Sequence, residues 1–146
     1  MKLCLVRHGN AIDHENDSLR NLSQKGISEA RATGEFLKEL DLNPKIIFHS
    51  HLLRAKETAE NIRKSLGQET HLEEDANLLP YSPTSIWVNN LYYHNENLII
   101  VGHMPYLGLL AEEYLNKIIN FPTGGALILQ LDDLNGKVIT SNFPLL

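Results

Sequence analysis

The chain has a single cysteine, Cys4, so no disulfide can form within it. Cys4 sits in the apolar run Leu3-Cys4-Leu5-Val6, where a buried, inert thiol is expected. Basic residues are in the minority. The 13 Lys and Arg stand against 18 Asp and Glu, for a net charge of -5. Nucleic-acid-binding domains carry a basic surplus, so this balance argues against nucleic acid while leaving room for a small basic pocket. No apolar stretch approaches the roughly 20 residues of a transmembrane helix. The apolar run before Arg7-His8 is shorter than that of a signal peptide. The expectation is a soluble, cytoplasmic protein with no membrane partner. Internal repeats and low-complexity segments are also missing.

What is there is ordinary globular material. The 146 residues are 42% apolar and 21% charged. That length suits one domain over residues 1–146, burying roughly 70% of its unfolded surface without a metal or disulfide staple.

Leu3 to Val6 is a continuous apolar run, as expected of a strand buried on both faces. Ile46-Ile47-Phe48 and Leu98-Ile99-Ile100-Val101 read the same way. Between them lie helical stripes. Ser23 is a candidate cap for a helix carrying Ile27, Ala30, Gly34 and Leu37, ending near Leu40 ahead of Asn43-Pro44. Ala55, Ala59, Ile62 and Leu66 mark a second helix, with Gly67 just past its end. Short helices are expected over Ser85–Tyr93 and Tyr106–Leu115. The stretch from Thr70 to Pro83 gives no clear signal; its acidic run, Glu73-Glu74-Asp75, reads as a solvated loop. Ala126–Leu131 and Val138–Phe143 flank Asn135-Gly136, a hairpin-turn signal. Alternating strands and helices predict an α/β three-layer sandwich with a mostly parallel central sheet and a C-terminal antiparallel hairpin at one edge.

The polar residues fall where such a sheet binds ligands. Arg7-His8 follows the first strand, His49-Ser50-His51 the second, and His103 the third. Arg54 lies one turn into the second helix. Core packing asks for none of these. Arginine presents a planar fork of donors that fits a phosphoryl group. A neutral imidazole is a nucleophile at pH 7. The combination points to phosphoryl transfer through a phosphohistidine.

Four segments in order then resemble the histidine phosphatase superfamily, which includes the phosphoglycerate mutases. Arg7-His8-Gly9 resembles its signature. Arg20-Asn21-Leu22-Ser23-Gln24-Lys25-Gly26 resembles the segment opening its first helix. Ser50 to Ala59 resembles its second-arginine motif, a Ser, then Arg54-Ala55, then Thr58. Gly102-His103 resembles its second-histidine motif. The short chain is most similar to the small SixA-type phosphohistidine phosphatases, and the implied fold is phosphoglycerate mutase-like.

The resemblance implies that His8 is the nucleophile. Arg7, Arg54 and His103 would hold the phosphoryl oxygens, Arg20 would be a further phosphate-binding arginine, and Gly9 would let the backbone pass close to the phosphoryl group. Ser50 and Asn10 are candidates for additional hydrogen bonds. No cofactor or metal is implied. His49 and His51 are spaced to face one way on a strand, but the seven histidines include no H-x-x-x-H pair on a helix and no Cys partner. His14, His49, His51, His71 and His94 read as surface or rim residues. Trp87, Tyr92, Tyr93 and Tyr106 read as core or rim aromatics, and Thr123-Gly124-Gly125 as a turn.

The general acid departs from the family pattern. Where relatives carry a carboxylic acid, ahead of Leu78-Leu79-Pro80, this chain has Asn77. An ester leaving group needs a proton early. A protonated phosphohistidine can leave as neutral imidazole without one. The expected substrate is therefore phosphohistidine on a partner protein, such as a histidine phosphotransfer domain or a phosphocarrier. The alternatives are a phosphomonoesterase for small phosphorylated molecules, with Glu73, Glu74 or Asp75 as the acid, and a non-catalytic phospho-ligand binding protein. A mutase must shield phosphohistidine from water, and this chain has little room for covering insertions.

Overall fold

The computed structural model describes residues 1–67, 69–133 and 135–145. Six strands form one sheet: β1 (Lys2–Arg7), β2 (Ile46–His49), β3 (His71–Glu74), β4 (Leu98–Gly102), β5 (Ala126–Asp132) and β6 (Asn135–Ser141). Their order is β3-β2-β4-β1-β5-β6. β1 to β4 run parallel, while β5 is antiparallel to β1 and β6 to β5. This is the mostly parallel sheet with a C-terminal hairpin at one edge that the sequence predicts.

The continuous apolar runs arise because both faces are covered. Leu3 and Leu5 of β1, with Leu98 and Ile100 of β4, pack against Trp87, Leu91, Tyr106, Leu107 and Leu110. Those residues belong to helices α3 (Ser85–Tyr92) and α4 (Tyr106–Leu115). Cys4, Val6, Ile99 and Val101 point the other way, to Leu37, Ala55, Ala59 and Ile62. These lie on α1 (Gln24–Glu39) and α2 (Leu53–Leu66). The Cys4 thiol is fully buried, and burial pushes its pKa up, so it stays protonated. Trp87 and Tyr106 are core residues, whereas Tyr92 and Tyr93 are exposed.

Three local expectations need correction. Glu73 and Glu74 are in β3, not in a loop, paired with Phe48 and His49. An edge strand keeps one flank in water, so charged side chains are tolerated there. Asn135 and Gly136 are not the hairpin turn; they open β6, opposite Asp132 and Leu131. The chain reverses earlier, where Asp133 takes φ 54°; Leu134 lies outside the described residues. His49 is buried, and its Nδ1 donates to the Ser50 carbonyl at 2.8 Å.

Ser23 caps α1 as expected, its hydroxyl accepting from the Gly26 N–H at 3.1 Å. Gly26 is there because the chain after β1 passes directly over it. A Cβ on Gly26 would collide with the backbone of Asn10, carbonyl oxygen included. Gly26→Ala must therefore move either α1 or the loop carrying His8. We expect it to cost about 1–3 kcal/mol, read as a lower urea midpoint with an unchanged slope.

Candidate active site

The strand order explains how distant motifs meet. β4 lies between β1 and β2. Arg7 is in register with Gly102, so His8 and His103 leave the sheet side by side. Their ring centroids are 5.1 Å apart. His49 is in register with Val101, which brings Ser50 next to His103. The three parallel strands thus deliver His8, Ser50 and His103 to one rim.

His8 is buried and its ring is oriented by its neighbour. Nδ1 is 2.7 Å from the Gly9 carbonyl oxygen. A carbonyl can only accept, so Nδ1 carries the proton and Nε2 keeps its lone pair. Gly9 in turn donates its N–H to Thr58 Oγ1 at 3.0 Å, and that hydroxyl donates to the Arg54 carbonyl at 2.7 Å. The structure also gives Gly9 a supporting task within the loop. Its N–H and C=O hold the His8 loop in place, and a Cβ there would meet the Gly26 backbone.

Burial lowers the His8 pKa from 6.5 to about 4, with the charges of Arg54, Arg7 and Arg20 adding to the effect and the Gly9 hydrogen bond opposing it. The neutral ring therefore persists down to about pH 4. After correction for the substrate's own ionisation, the acid limb of kcat/KM is expected near pH 4; a limb at 6.5 would contradict the burial argument. Stability should follow the same sign. Between the unfolded value of 6.5 and the folded value of about 4 the unfolded chain binds more protons, so this contribution is lost as pH falls through that window.

Arg7 and Arg54 flank the two imidazoles. Arg7 Nη1 donates to the Phe121 carbonyl at 2.8 Å, and burial lowers its pKa against the opposing charge of Glu29. Glu29 itself accepts from the Asn10 N–H and the Thr123 hydroxyl, both at 2.8 Å. Thr123-Gly124-Gly125 is a turn under the end of β1, with the Gly124 N–H shared between the Arg7 and His8 carbonyls. Arg54 is only 5% exposed and projects from the first turn of α2. The Nε atoms of Arg7 and Arg54 and Nδ1 of His103 are buried, with no hydrogen-bond partner among the described residues. Three buried nitrogens without partners, close to the bare Nε2 of His8, are groups that a bound oxyanion could satisfy.

Asp17 and Arg20 approach from the loop between β1 and α1. Arg20 Nε donates to the Ile12 carbonyl at 3.0 Å, and Nη1 reaches Asp17 at 3.4 Å. Asp17 also meets Arg54: its carbonyl accepts from Nη1 at 3.1 Å and its carboxylate lies 3.4 Å from Nη2. The sequence reading missed Asp17, Glu29 and Thr58 as partners of the site. Thr58 stood in a quoted motif; the other two had no spacing signal.

Of the other candidates, Ser50, Asn10 and Asp75 have partners of their own. Ser50 Oγ faces His103 Nε2 at 2.6 Å. Asn10 Oδ1 accepts from the Ser23 hydroxyl at 2.7 Å. Glu73 and Glu74 are exposed on β3, while Asp75 accepts from the Asn77 N–H and from Trp87 Nε1. His51 is exposed and His49 buried, and no group of three or more potential metal ligands occurs among the described residues. A separate open cleft of about 520 Å³ lies at the opposite rim, between Leu37 and Thr70, and none of the unpaired buried atoms lines it.

A family model described as histidine phosphatase superfamily (branch 1) matches residues 3–78. The chain belongs to the histidine phosphatase superfamily. The matched span ends short of His103. Phosphohistidine phosphatase SixA of Escherichia coli (strain K12) is 28% identical over 118 residues, which is 77% of this chain and 73% of SixA. A solved structure of the protein histidine phosphatase SixA complexed with tungstate superposes with a TM-score of 0.90 at 25% identity, covering 97% of this chain and 96% of that one. The mitochondrial serine/threonine-protein phosphatase Pgam5 of Drosophila ananassae is 32% identical over 93 residues. The match takes in 58% of this chain and 32% of Pgam5, so the chain spans about a third of the length of that relative. Among the described residues no helix of this histidine phosphatase superfamily member is long and apolar enough to cross a membrane.

Proposed function

We propose that the chain is a phosphohistidine phosphatase that dephosphorylates a histidine on a partner protein. The observation that carries this is the pairing of a bare His8 Nε2 with three unpaired buried nitrogens, Arg7 Nε, Arg54 Nε and His103 Nδ1. His8 Nε2 attacks phosphorus in line and forms a new P–N bond. The P–N bond to the substrate histidine breaks, and its electron pair stays on that imidazole. The two arginines and His103 hold the three equatorial oxygens, where transition-state charge is spread.

The Gly9 carbonyl matters again in the second step. It keeps a proton on Nδ1, so the phosphorylated His8 ring is an imidazolium. Water attacks phosphorus, the P–N bond breaks, and His8 leaves as neutral imidazole with its electron pair on Nε2. Inorganic phosphate and one proton are released. Neither step needs a carboxylic acid, which fits Asn77 standing where relatives have one.

The choice of a protein substrate is supported by the rim. The connections there, residues 50–52, 75–84, 103–105 and 8–23, contain no helix beyond the three-residue turn Asp17–Leu19 among the described residues. The absence of a covering helix supports a substrate as large as a phosphohistidine ring on another protein. The similar E. coli protein is a phosphohistidine phosphatase by name, and a SixA structure was solved with tungstate, a tetrahedral oxyanion shaped like phosphate.

The test is to trap the intermediate. Rapid acid-free quenching after mixing with radiolabelled phosphohistidine protein should show label on the enzyme. The label should be stable to alkali and lost in acid, and it should map to His8. Label on a serine, or turnover with no labelled enzyme under single-turnover conditions, would contradict the proposal.

A further inference from the structure

His103 does not by itself offer a donor to phosphate, because a neutral imidazole has two tautomers. Burial, with the nearby charges of His8, Arg54, Arg7 and His51, lowers its pKa to about 2, so the ring is neutral at ordinary pH. One tautomer presents an N–H from Nδ1. The other presents a lone pair, which would repel an anionic oxygen.

The neighbouring hydroxyl decides between them. Ser50 Oγ is 2.6 Å from His103 Nε2, and both residues are buried, at 0% and 1% exposure. The other hydrogen bond at that oxygen is received from the Leu52 N–H at 3.4 Å. Ser50 therefore has a proton of its own to place, and among the described residues His103 Nε2 is the acceptor it meets. If Nε2 carried a proton instead, Ser50 Oγ would accept it, and the Ser50 proton would be left buried with no acceptor among the described residues.

We propose that Ser50 is a positioning residue that fixes His103 in the Nδ1–H tautomer and so turns its unpaired Nδ1 into a hydrogen-bond donor for a phosphoryl oxygen. His8 uses the opposite arrangement 5.1 Å away. A carbonyl at its Nδ1 exposes a lone pair, and a hydroxyl at the Nε2 of His103 exposes a donor. Two adjacent imidazoles thus take two roles because two different oxygens hold them. The pairing follows from the register of β2 against β4, which sets Ser50 beside His103. What the donor acts upon rests on the phosphatase reading above; the tautomer does not.

The test is nitrogen-15 NMR of histidine-labelled protein, with His103→Gln used to assign the His103 signals. Wild type should show a protonated Nδ1 and a bare Nε2. Ser50→Ala should populate the other tautomer and lower kcat about ten- to hundredfold, as loss of a group that orients a ligand typically does. Ser50→Thr should restore both. A protonated Nε2 in the wild type overturns the proposal whether or not the variants fold. So does a Ser50→Ala protein that keeps both the wild-type tautomer and the wild-type kcat. If no phosphorylated substrate is turned over yet the tautomer follows Ser50, the phosphatase reading fails and the tautomer assignment stands.

Discussion

His8→Ala is expected to lower kcat by about 10³-fold or more. The loss should be chemical, not structural. His8 lies at the end of β1 rather than inside either apolar cluster, and its side chain bonds only to the adjacent Gly9 carbonyl among the described residues. The variant should melt cooperatively within a few degrees of the wild type. It should still bind inorganic phosphate, because Arg7, Arg54 and His103 remain. Phosphate binding by isothermal titration, alongside kcat, separates these effects. Retained turnover in His8→Ala would remove the nucleophile from the account, while loss of phosphate binding as well would point to a collapsed rim.

Arg54→Ala should cost about 10²–10³-fold in kcat. The guanidinium is buried, and its Nε has no partner among the described residues, so a phosphoryl oxygen would be its match. The same residue holds Asp17 and adds to the positive field on His8. Removing it should therefore also raise the acid limb of the pH profile from about 4 toward the ordinary value of 6.5. That shift is a check that general destabilisation would not reproduce. Arg54→Lys restores the charge but not the fork, so most of the kcat loss should remain. A lysine variant with full activity would mean that charge alone is needed there.

The parts of this molecule that are legible from sequence are those whose physics is local. β1, β2 and β4 read clearly because strands covered on both faces are apolar without interruption. The capped start of α1 reads clearly because Ser23 bonds to Gly26 three residues on. β3 does not, since an edge strand holding His71, Glu73 and Glu74 carries no apolar pattern. The Asn135-Gly136 pair misleads because β5 and β6 pair out to Asp132 and Asn135, which leaves the reversal before the expected turn residues.

The site divides in the same way. Arg7, His8, Arg54 and His103 stand in motifs at strand or helix ends, so type and position together announce them. Their supports are set by strand order. Nothing in the sequence states that β4 inserts between β1 and β2, yet that insertion puts His103 beside both His8 and Ser50. Glu29 and Asp17 are ordinary acids until α1 and the loop before it fold against the arginines.

The central claim is that the chemistry is phosphoryl transfer from a phosphohistidine. It is tested most directly by giving the wild-type protein a phosphohistidine-bearing protein and p-nitrophenyl phosphate in parallel, with chelator present. The account predicts fast clearance of the phosphohistidine, little ester hydrolysis and no effect of chelator. Faster hydrolysis of the ester, with phosphohistidine left intact, would contradict it.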